Sequence, residues 1–198
     1  MTEMKLFVYG SMSKGLVHYN KIQDFVESSI PATVHGSVYR LKVGYPVLLQ
    51  EGQDNVVGHL KTLRATDLLV NLLDEFHGFN KMDEGKSLFY RREVAVQSSA
   101  GTETASVYFL NPKKLPKSAA LILGGDWQAS LQAEPSMIEK LSDRQKTYIQ
   151  RLGNSTGREI IPIDLPLYRE LMNLEMIVDK GRRLALSKSG HEVFRYLS

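Results

Sequence analysis

The residues best suited to chemistry stand where a short apolar run meets a glycine near the start of the chain. Residues 4–9 read Met-Lys-Leu-Phe-Val-Tyr and are followed by Gly10, Ser11 and Met12. The apolar run predicts a buried strand, and a turn at its end leaves backbone N–H groups free. Free N–H groups clustered at a turn bind carboxylates and other anions. A tight structural turn closed by Gly10, with no ligand, is equally compatible with these residues.

Other kinds of reactive site have little support in the composition. The chain has no cysteine, which excludes a disulfide framework, a thiolate zinc site and a cysteine nucleophile. We expect no metal site, because the five histidines show no metal-ligand spacing. These histidines are His18, His35, His59, His77 and His191.

Alternating and apolar segments predict the strands that position the turn. Besides residues 4–9, the predicted strands cover residues 32–41, 45–49, 56–63, 88–97 and 104–110. Gly58 interrupts one of them and predicts a bulge or a close backbone approach. Helical spacing of apolar residues over 16–26 predicts a helix. Many strands with two helices favour an α+β fold, with a barrel or curled sheet in place of regular βαβ winding.

The second predicted helix has clear end signals. Thr66 is a suitable N-cap, Asp67 follows it in the first turn, and Gly78 comes after the last apolar residue of the stripe. The apolar stripe consists of Leu68, Leu69, Leu72, Leu73 and Phe76.

A composition shift after residues 111–116 separates a C-terminal part of different character. Its patterns predict helices over 136–152 and 165–174, a hairpin over 176–186 and a closing helix over 190–197, with Asp164 as a cap. This order has a winged-helix-like outline. We therefore divide the chain into a domain of residues 1–118, a connecting segment of residues 119–135, and a C-terminal module of residues 136–198.

Length and composition indicate an ordinary globular protein. The 198 residues are 42% hydrophobic and 24% charged, which fits one domain with a small appendage. No apolar run approaches the length of about 18 residues that spans a bilayer. The N-terminus lacks the basic-then-apolar layout of a signal peptide. We expect a cytoplasmic protein that does not contact membranes.

Several short motifs, taken in their order along the chain, resemble the γ-glutamylcyclotransferase-like family. The resemblance covers residues 5–110 and implies a small mixed β-barrel flanked by helices. The motifs are Val-Tyr-Gly-Ser at 8–11, Val-His-Gly-Ser-Val-Tyr at 34–39, Gly-Tyr-Pro at 44–46, Val-Gly-His-Leu at 57–60, Leu-Leu-Asp at 72–74 with Gly78, Tyr-Arg-Arg-Glu-Val at 90–94 and Ala-Ser-Val-Tyr at 105–108.

The resemblance also implies a chemistry that needs no metal or cofactor. In this family the turn binds a γ-glutamyl group, and a glutamate takes a proton from the substrate's α-ammonium. The freed amine attacks the γ-carbonyl of the same molecule, which releases 5-oxoproline and an amine or amino acid. The resemblance assigns substrate binding to Tyr9, Gly10, Ser11 and Met12. We expect Tyr90 and Tyr108 to line the cavity in which this turn binds the substrate.

One position departs from the family's pattern. The family has Leu-Asp-x-x-Glu-Gly, whereas this chain has His77 directly before Gly78. His77 is one candidate base, since an imidazole suits proton transfer near neutral pH. A carboxylate from Glu75 or Glu84 is a second possibility, although Glu75 is turned by about 200° from His77 on a helix. The third is a pocket that binds a small γ-glutamyl or carboxylate-bearing ligand, or acts as a sensor, without turnover.

The C-terminal module carries the net charge of +3 but no dense basic stripe. Arg182 and Arg183 at the hairpin tip would contact phosphates if the module bound nucleic acid. The predicted helix over 165–174 has no cluster of base-reading side chains, so we do not expect nucleic acid as a partner. Packing, including contact with a second copy in a homodimer, is the expected use of this module.

Overall fold

The computed structural model describes residues 2–156 and 159–197, and the chain divides into two compact units. The first unit comprises residues 1–41 and 45–134, and the second comprises residues 42–44 and 135–198. All but the last residue of the segment 119–135, expected as a connection, therefore lies in the first unit. Within the described residues, no helix has the length and apolar character that crossing a membrane requires.

The first unit is built mainly from long strands. Its elements are β1 (Thr2–Val8), β2 (Val26–Arg40), β3 (Pro46–Ala65), α1 (Asp67–His77), β4 (Phe89–Ser98), β5 (Gly101–Leu110), β6 (Ala120–Leu121) and α2 (Trp127–Ala133). The predicted strands at 45–49 and 56–63 are both parts of β3. β3 continues through the polar residues 50–55 that separate the two predicted strands. Its pairing with β2 is irregular there, because Gly36 pairs with Asp54 whereas the next residue, Ser37, pairs with Leu49.

The helix predicted over residues 16–26 is wrong. The chain forms two 3-10 turns there, at Tyr19–Lys21 and Gln23–Phe25. Val26 already pairs with Leu63 as the first residue of β2, so the segment leaves helical geometry before a longer helix can form. The apolar spacing instead places Ile22 in the interior, where it is fully buried.

The strands pair in the order β3-β1-β5-β4-β2-β6, and β3 also pairs with β2. These pairings connect five strands in a closed ring. β1 and β5 run parallel, whereas the other pairs are antiparallel, so the sheet is mixed, as expected from the sequence.

Alternate residues of the strands point into a common apolar core. Phe7 on β1, Leu60 on β3 and Phe109 on β5 belong to this core, which also contains Trp127. Since neighbouring side chains on a strand face opposite ways, Tyr108 lies on the other face of β5. On that outer face Tyr108 meets His77 of α1.

Helix α1 has the ends that the sequence predicted. The Thr66 hydroxyl accepts a hydrogen bond from the Leu69 N–H at 3.1 Å, and Gly78 ends the helix with a φ of 60°. Glycine adopts this left-handed conformation without steric cost. The two caps fix His77 as the last helical residue, and Leu69 and Leu73 are fully buried.

The second unit contains short helices and one hairpin. Its elements are α3 (Met137–Lys140), α4 (Asp143–Asn154), α5 (Leu165–Asn173), β7 (Ile177–Asp179), β8 (Leu184–Leu186) and α6 (Lys188–Leu197). The single helix predicted over 136–152 is two helices, because Ser136 and Ser142 each start a helix with a capping box. The predicted cap is confirmed at Asp164, whose carboxylate accepts the Leu167 N–H at 3.0 Å.

The close backbone approach predicted at Gly58 is confirmed and gives a test of the fold. A Cβ atom at this position would lie 2.5 Å from the Val8 carbonyl oxygen and 2.6 Å from the Phe7 ring. We expect Gly58→Ala to lower the free energy of unfolding by about 1–3 kcal/mol, as overpacking does. Denaturant unfolding measures this change. Gly85→Ala is the control, since its Cβ would meet only the Asp83 side chain at 3.6 Å; equal stability of the two variants would contradict the packing of β3 against β1.

Candidate functional site

The turn after β1 presents unpaired backbone donors, as the sequence predicted. The Ser13 N–H closes the turn by donating to the Gly10 carbonyl at 2.8 Å. Within the part of the chain that the structure describes, the N–H groups of Gly10, Ser11 and Met12 donate to no protein acceptor. Three adjacent free donors suit a carboxylate or a carbonyl oxygen.

Tyr9 anchors this turn from inside the ring of strands. Its hydroxyl donates to the Tyr108 carbonyl at 3.4 Å and accepts the Leu48 N–H at 3.2 Å. Burial raises the pKa of Tyr9, so this phenol stays protonated. Its ring packs against the apolar core. Through the two hydrogen bonds of its hydroxyl group, Tyr9 holds the turn to β5 and β3.

His77 has one ring nitrogen fixed and one available. Its Nδ1 lies 2.8 Å from the Leu73 carbonyl oxygen, and because a carbonyl only accepts, Nδ1 carries the proton and Nε2 carries a lone pair. No residue among 2–156 and 159–197 hydrogen-bonds Nε2. Burial lowers the pKa of His77 to about 4; the Leu73 carbonyl opposes this shift and nearby His18 adds to it. The imidazole is therefore neutral at physiological pH.

The ring of Tyr108 lies flat against His77. The two ring centroids are 3.8 Å apart and the planes differ by 4°. The Tyr108 hydroxyl donates to Asp74 Oδ1 at 2.6 Å, and Arg91 Nη1 lies 3.3 Å from the same oxygen. Burial, reinforced by Asp74, raises the pKa of Tyr108. A neutral phenol locked at its hydroxyl end thus fixes the plane in which His77 lies.

Two further rings connect His77 with the turn. His18 Nδ1 is 2.9 Å from the Ser11 hydroxyl. The His18 ring meets Phe76 edge-on at 4.8 Å, and Phe76 meets His77 at 5.0 Å. The structure therefore links the predicted binding turn and His77 through a continuous series of contacts; a cavity shared by the turn and His77 stays a prediction.

The other predicted site residues lie apart from this cluster. Glu75 is exposed on α1. Glu84 is held by Arg92, with oxygen–nitrogen distances of 2.7 and 3.1 Å, and this partner lowers the pKa of Glu84. Tyr90 lies on the face of β4 opposite Arg91, with the Arg92 guanidinium 5.0 Å from its ring centroid.

Sequence reasoning gave no site role to Asp74, Arg91 or His18. The spacing of Asp74 and His77, three positions apart on a helix, is a signal that places both on one side of α1. As neighbours on β4, Arg91 and Arg92 point to opposite faces, and each pairs with a carboxylate, Asp74 for Arg91 and Glu84 for Arg92. His18 had no such signal, because only the folded loop brings it to Ser11.

Comparison with known proteins decides the family. The model of the family "Gamma-glutamyl cyclotransferase, AIG2-like" matches residues 6–129. The chain belongs to this family. The match includes the turn, α1 and β4–β5, and so covers every residue of the cluster around His77.

A curated relative is also a γ-glutamyl cyclotransferase. The γ-L-glutamyl-butirosin B γ-glutamyl cyclotransferase of Niallia circulans is 27% identical over 138 residues, which is 70% of this chain and 84% of that protein. YkqA from Bacillus subtilis shares the fold, with a TM-score of 0.50 and 22% identity over 72% of this chain. The match spans 44% of the YkqA chain. An AIG2-like protein from Mus musculus aligns with a TM-score of 0.46 and 18% identity, over 60% of this chain and 83% of that chain.

The lowered pKa of His77 predicts a specific loss of stability in acid. Between pH 6.5 and about 4 the unfolded chain protonates this imidazole while the folded chain keeps it neutral, so unfolding binds a proton and stability falls as the pH falls. We expect His77→Gln to flatten the decrease in unfolding temperature over this range. Thermal melts at several pH values measure the slope, with His35→Gln on an exposed strand position as the control. Identical slopes for wild type and His77→Gln would show that His77 titrates normally.

Proposed function

We propose that this protein is a γ-glutamyl cyclotransferase in which His77 serves as the base. The substrate class is a γ-glutamyl amine or γ-glutamyl amino acid, and the products are 5-oxoproline and the released amine. The single observation that carries this proposal is the state of His77. It occupies the glutamate position of the family's motif, and its Nε2 is unprotonated, unbonded and held in orientation by Leu73 and Tyr108.

For this reaction the protein has to hold the substrate in a bent conformation and to transfer one proton. The free N–H groups at the turn would hold the γ-glutamyl group by a carboxylate or carbonyl oxygen. His77 Nε2 would accept a proton from the α-ammonium, and the amine would then attack the γ-carbonyl carbon of the same molecule. Intramolecular attack avoids most of the entropic cost of bringing two reactants together.

The low pKa of His77 gives this base an unusual property. An imidazole with a pKa near 4 resembles an ordinary carboxylate in basicity, since model glutamate has a pKa of about 4.3. It differs from a carboxylate in charge, because it is neutral before the proton transfer and cationic after it. We therefore expect a weaker attraction for the substrate's α-ammonium than a glutamate would provide.

Activity measurements on four variants test the assignment of the base. We expect His77→Ala to lower 5-oxoproline release by about 10²–10⁴-fold, the usual contribution of a general base. Glu75→Ala and Glu84→Ala serve as matched controls and should retain activity. His77→Glu restores the family's residue and should keep or raise activity. Loss of activity in either glutamate variant, with His77→Ala unaffected, would transfer the role of base to that carboxylate.

The pH profile gives an independent readout of the same base. If His77 is the base, turnover persists as the pH falls below neutrality and declines only as the pH approaches about 4, where the imidazole becomes protonated. A decline centred near 6.5 would point to a histidine with an ordinary pKa.

A binding or sensing role without turnover is the second candidate. The weak basicity of His77 and its enclosure by the rings of Phe76, Phe89 and Tyr108 support it. Calorimetric binding of a γ-glutamyl amide, combined with no 5-oxoproline from wild type or His77→Glu, would favour this role.

We further propose that the closed ring of strands is the mixed β-barrel of this family, and that the C-terminal module is winged-helix-like. The ring of pairings supports the first description. The order α4, α5, hairpin β7–β8 and α6 supports the second.

A further inference from the structure

Ser11 and His18 form a hydroxyl–imidazole pair that the proposed cyclisation does not use. Their Oγ and Nδ1 atoms are 2.9 Å apart, which is the distance expected between a nucleophile and its base. His18 is 3% exposed, whereas Ser11 is only half-buried. The imidazole is thus shielded from water, whereas the residue that carries the hydroxyl group is partly open to it.

The pair is held by short and local connections. The His18 N–H donates to the Ser11 carbonyl at 3.0 Å, so the loop that carries both residues closes on itself. The His18 ring packs edge-on against Phe76 with a centroid distance of 4.8 Å. Because the backbone and the ring are both fixed, the distance from Nδ1 to the hydroxyl does not depend on a long flexible side chain.

The backbone beside Ser11 supplies the other requirement of acyl transfer. In the described part of the chain, the N–H groups of Ser11 and Met12 have no protein acceptor. The N–H of a nucleophile and that of the residue after it are common donors to the oxyanion that forms when the nucleophile attacks a carbonyl carbon. One turn therefore carries a nucleophile, its base and oxyanion donors.

We propose that Ser11 and His18 are a nucleophile–base pair that transfers the γ-glutamyl group of γ-glutamyl amides through an ester on Ser11. This activity goes beyond cyclisation, because it does not need a free α-amine and can deliver the acyl group to water. It shares with the proposed function the γ-glutamyl amide as its substrate and the free N–H groups of the turn, and it does not require His77.

Each step balances in atoms and protons. His18, with its proton on Nε2, accepts the Ser11 proton at Nδ1 as Oγ bonds to the γ-carbonyl carbon. The carbon–nitrogen bond then breaks, and the proton passes from Nδ1 to the leaving amine, which yields the free amine and a γ-glutamyl ester. Water attacks this ester with His18 again taking a proton, and the acid is released as Ser11 regains its hydrogen.

A substrate with a blocked α-amine separates the two activities. N-acetyl-γ-glutamyl-p-nitroanilide cannot cyclise to 5-oxoproline, so release of p-nitroaniline from it reports the Ser11 route alone. We expect wild type to release p-nitroaniline and to gain the mass of one N-acetyl-γ-glutamyl group on the peptide that contains Ser11. We expect Ser11→Ala to lose both signals, the release by about 10²-fold or more, and Ser28→Ala, at an exposed strand position, to keep both.

The outcomes distinguish this proposal from the proposed function. No release and no adduct with the blocked substrate, or an adduct mapped to another residue, overturns the role of Ser11 even where the unblocked γ-glutamyl-p-nitroanilide yields 5-oxoproline. An adduct on Ser11 without any 5-oxoproline supports it and argues against cyclotransfer. His18→Asn should slow acylation at Ser11, whereas unchanged acylation would remove His18 as the base. The adduct on wild type decides the question of the nucleophile even where a variant fails to fold.

Discussion

The flat contact between the rings of His77 and Tyr108 is the interaction on which the candidate site depends. Tyr108 is held at its hydroxyl by Asp74, which comes from the same helix as His77. Its carbonyl accepts the hydroxyl of Tyr9, the residue that leads into the binding turn. One residue of β5 thus joins His77, at the end of α1, to Tyr9, which leads into the turn after β1. Displacing that residue would move both parts of the site at once.

Electrostatics around this contact follow from the same arrangement. Arg91 and Asp74 form a salt bridge beside Tyr108. The Asp74 carboxylate is therefore already neutralised and does not stabilise an imidazolium at His77. With His18 also nearby, burial keeps His77 neutral. A neutral base differs from the glutamate of the family's motif, because it offers no charge to attract an α-ammonium. With His77 as the proposed base, substrate binding would depend more on the free N–H groups of the turn.

The turn brings together features that serve two kinds of chemistry. Its N–H groups suit any anionic oxygen, whether a bound carboxylate or an oxyanion formed during reaction. His77 and His18 both meet the Phe76 ring edge-on, and His18 also reaches the Ser11 hydroxyl. The two proposals give proton transfer from the α-ammonium and activation of the Ser11 hydroxyl to different imidazoles.

The sequence by itself determined the local features of this protein. The caps at Thr66 and Gly78 placed His77 at the end of α1, and the apolar run before Gly10 placed the turn, because capping and strand alternation act over a few residues. Tertiary structure alone decided which rings meet. The stacking of Tyr108 on His77 and the pairing of Ser11 with His18 depend on strand register, on the closure of β2 onto β3 and on loop folding. These relations join segments distant in sequence, and no local pattern of residue types encodes their distances.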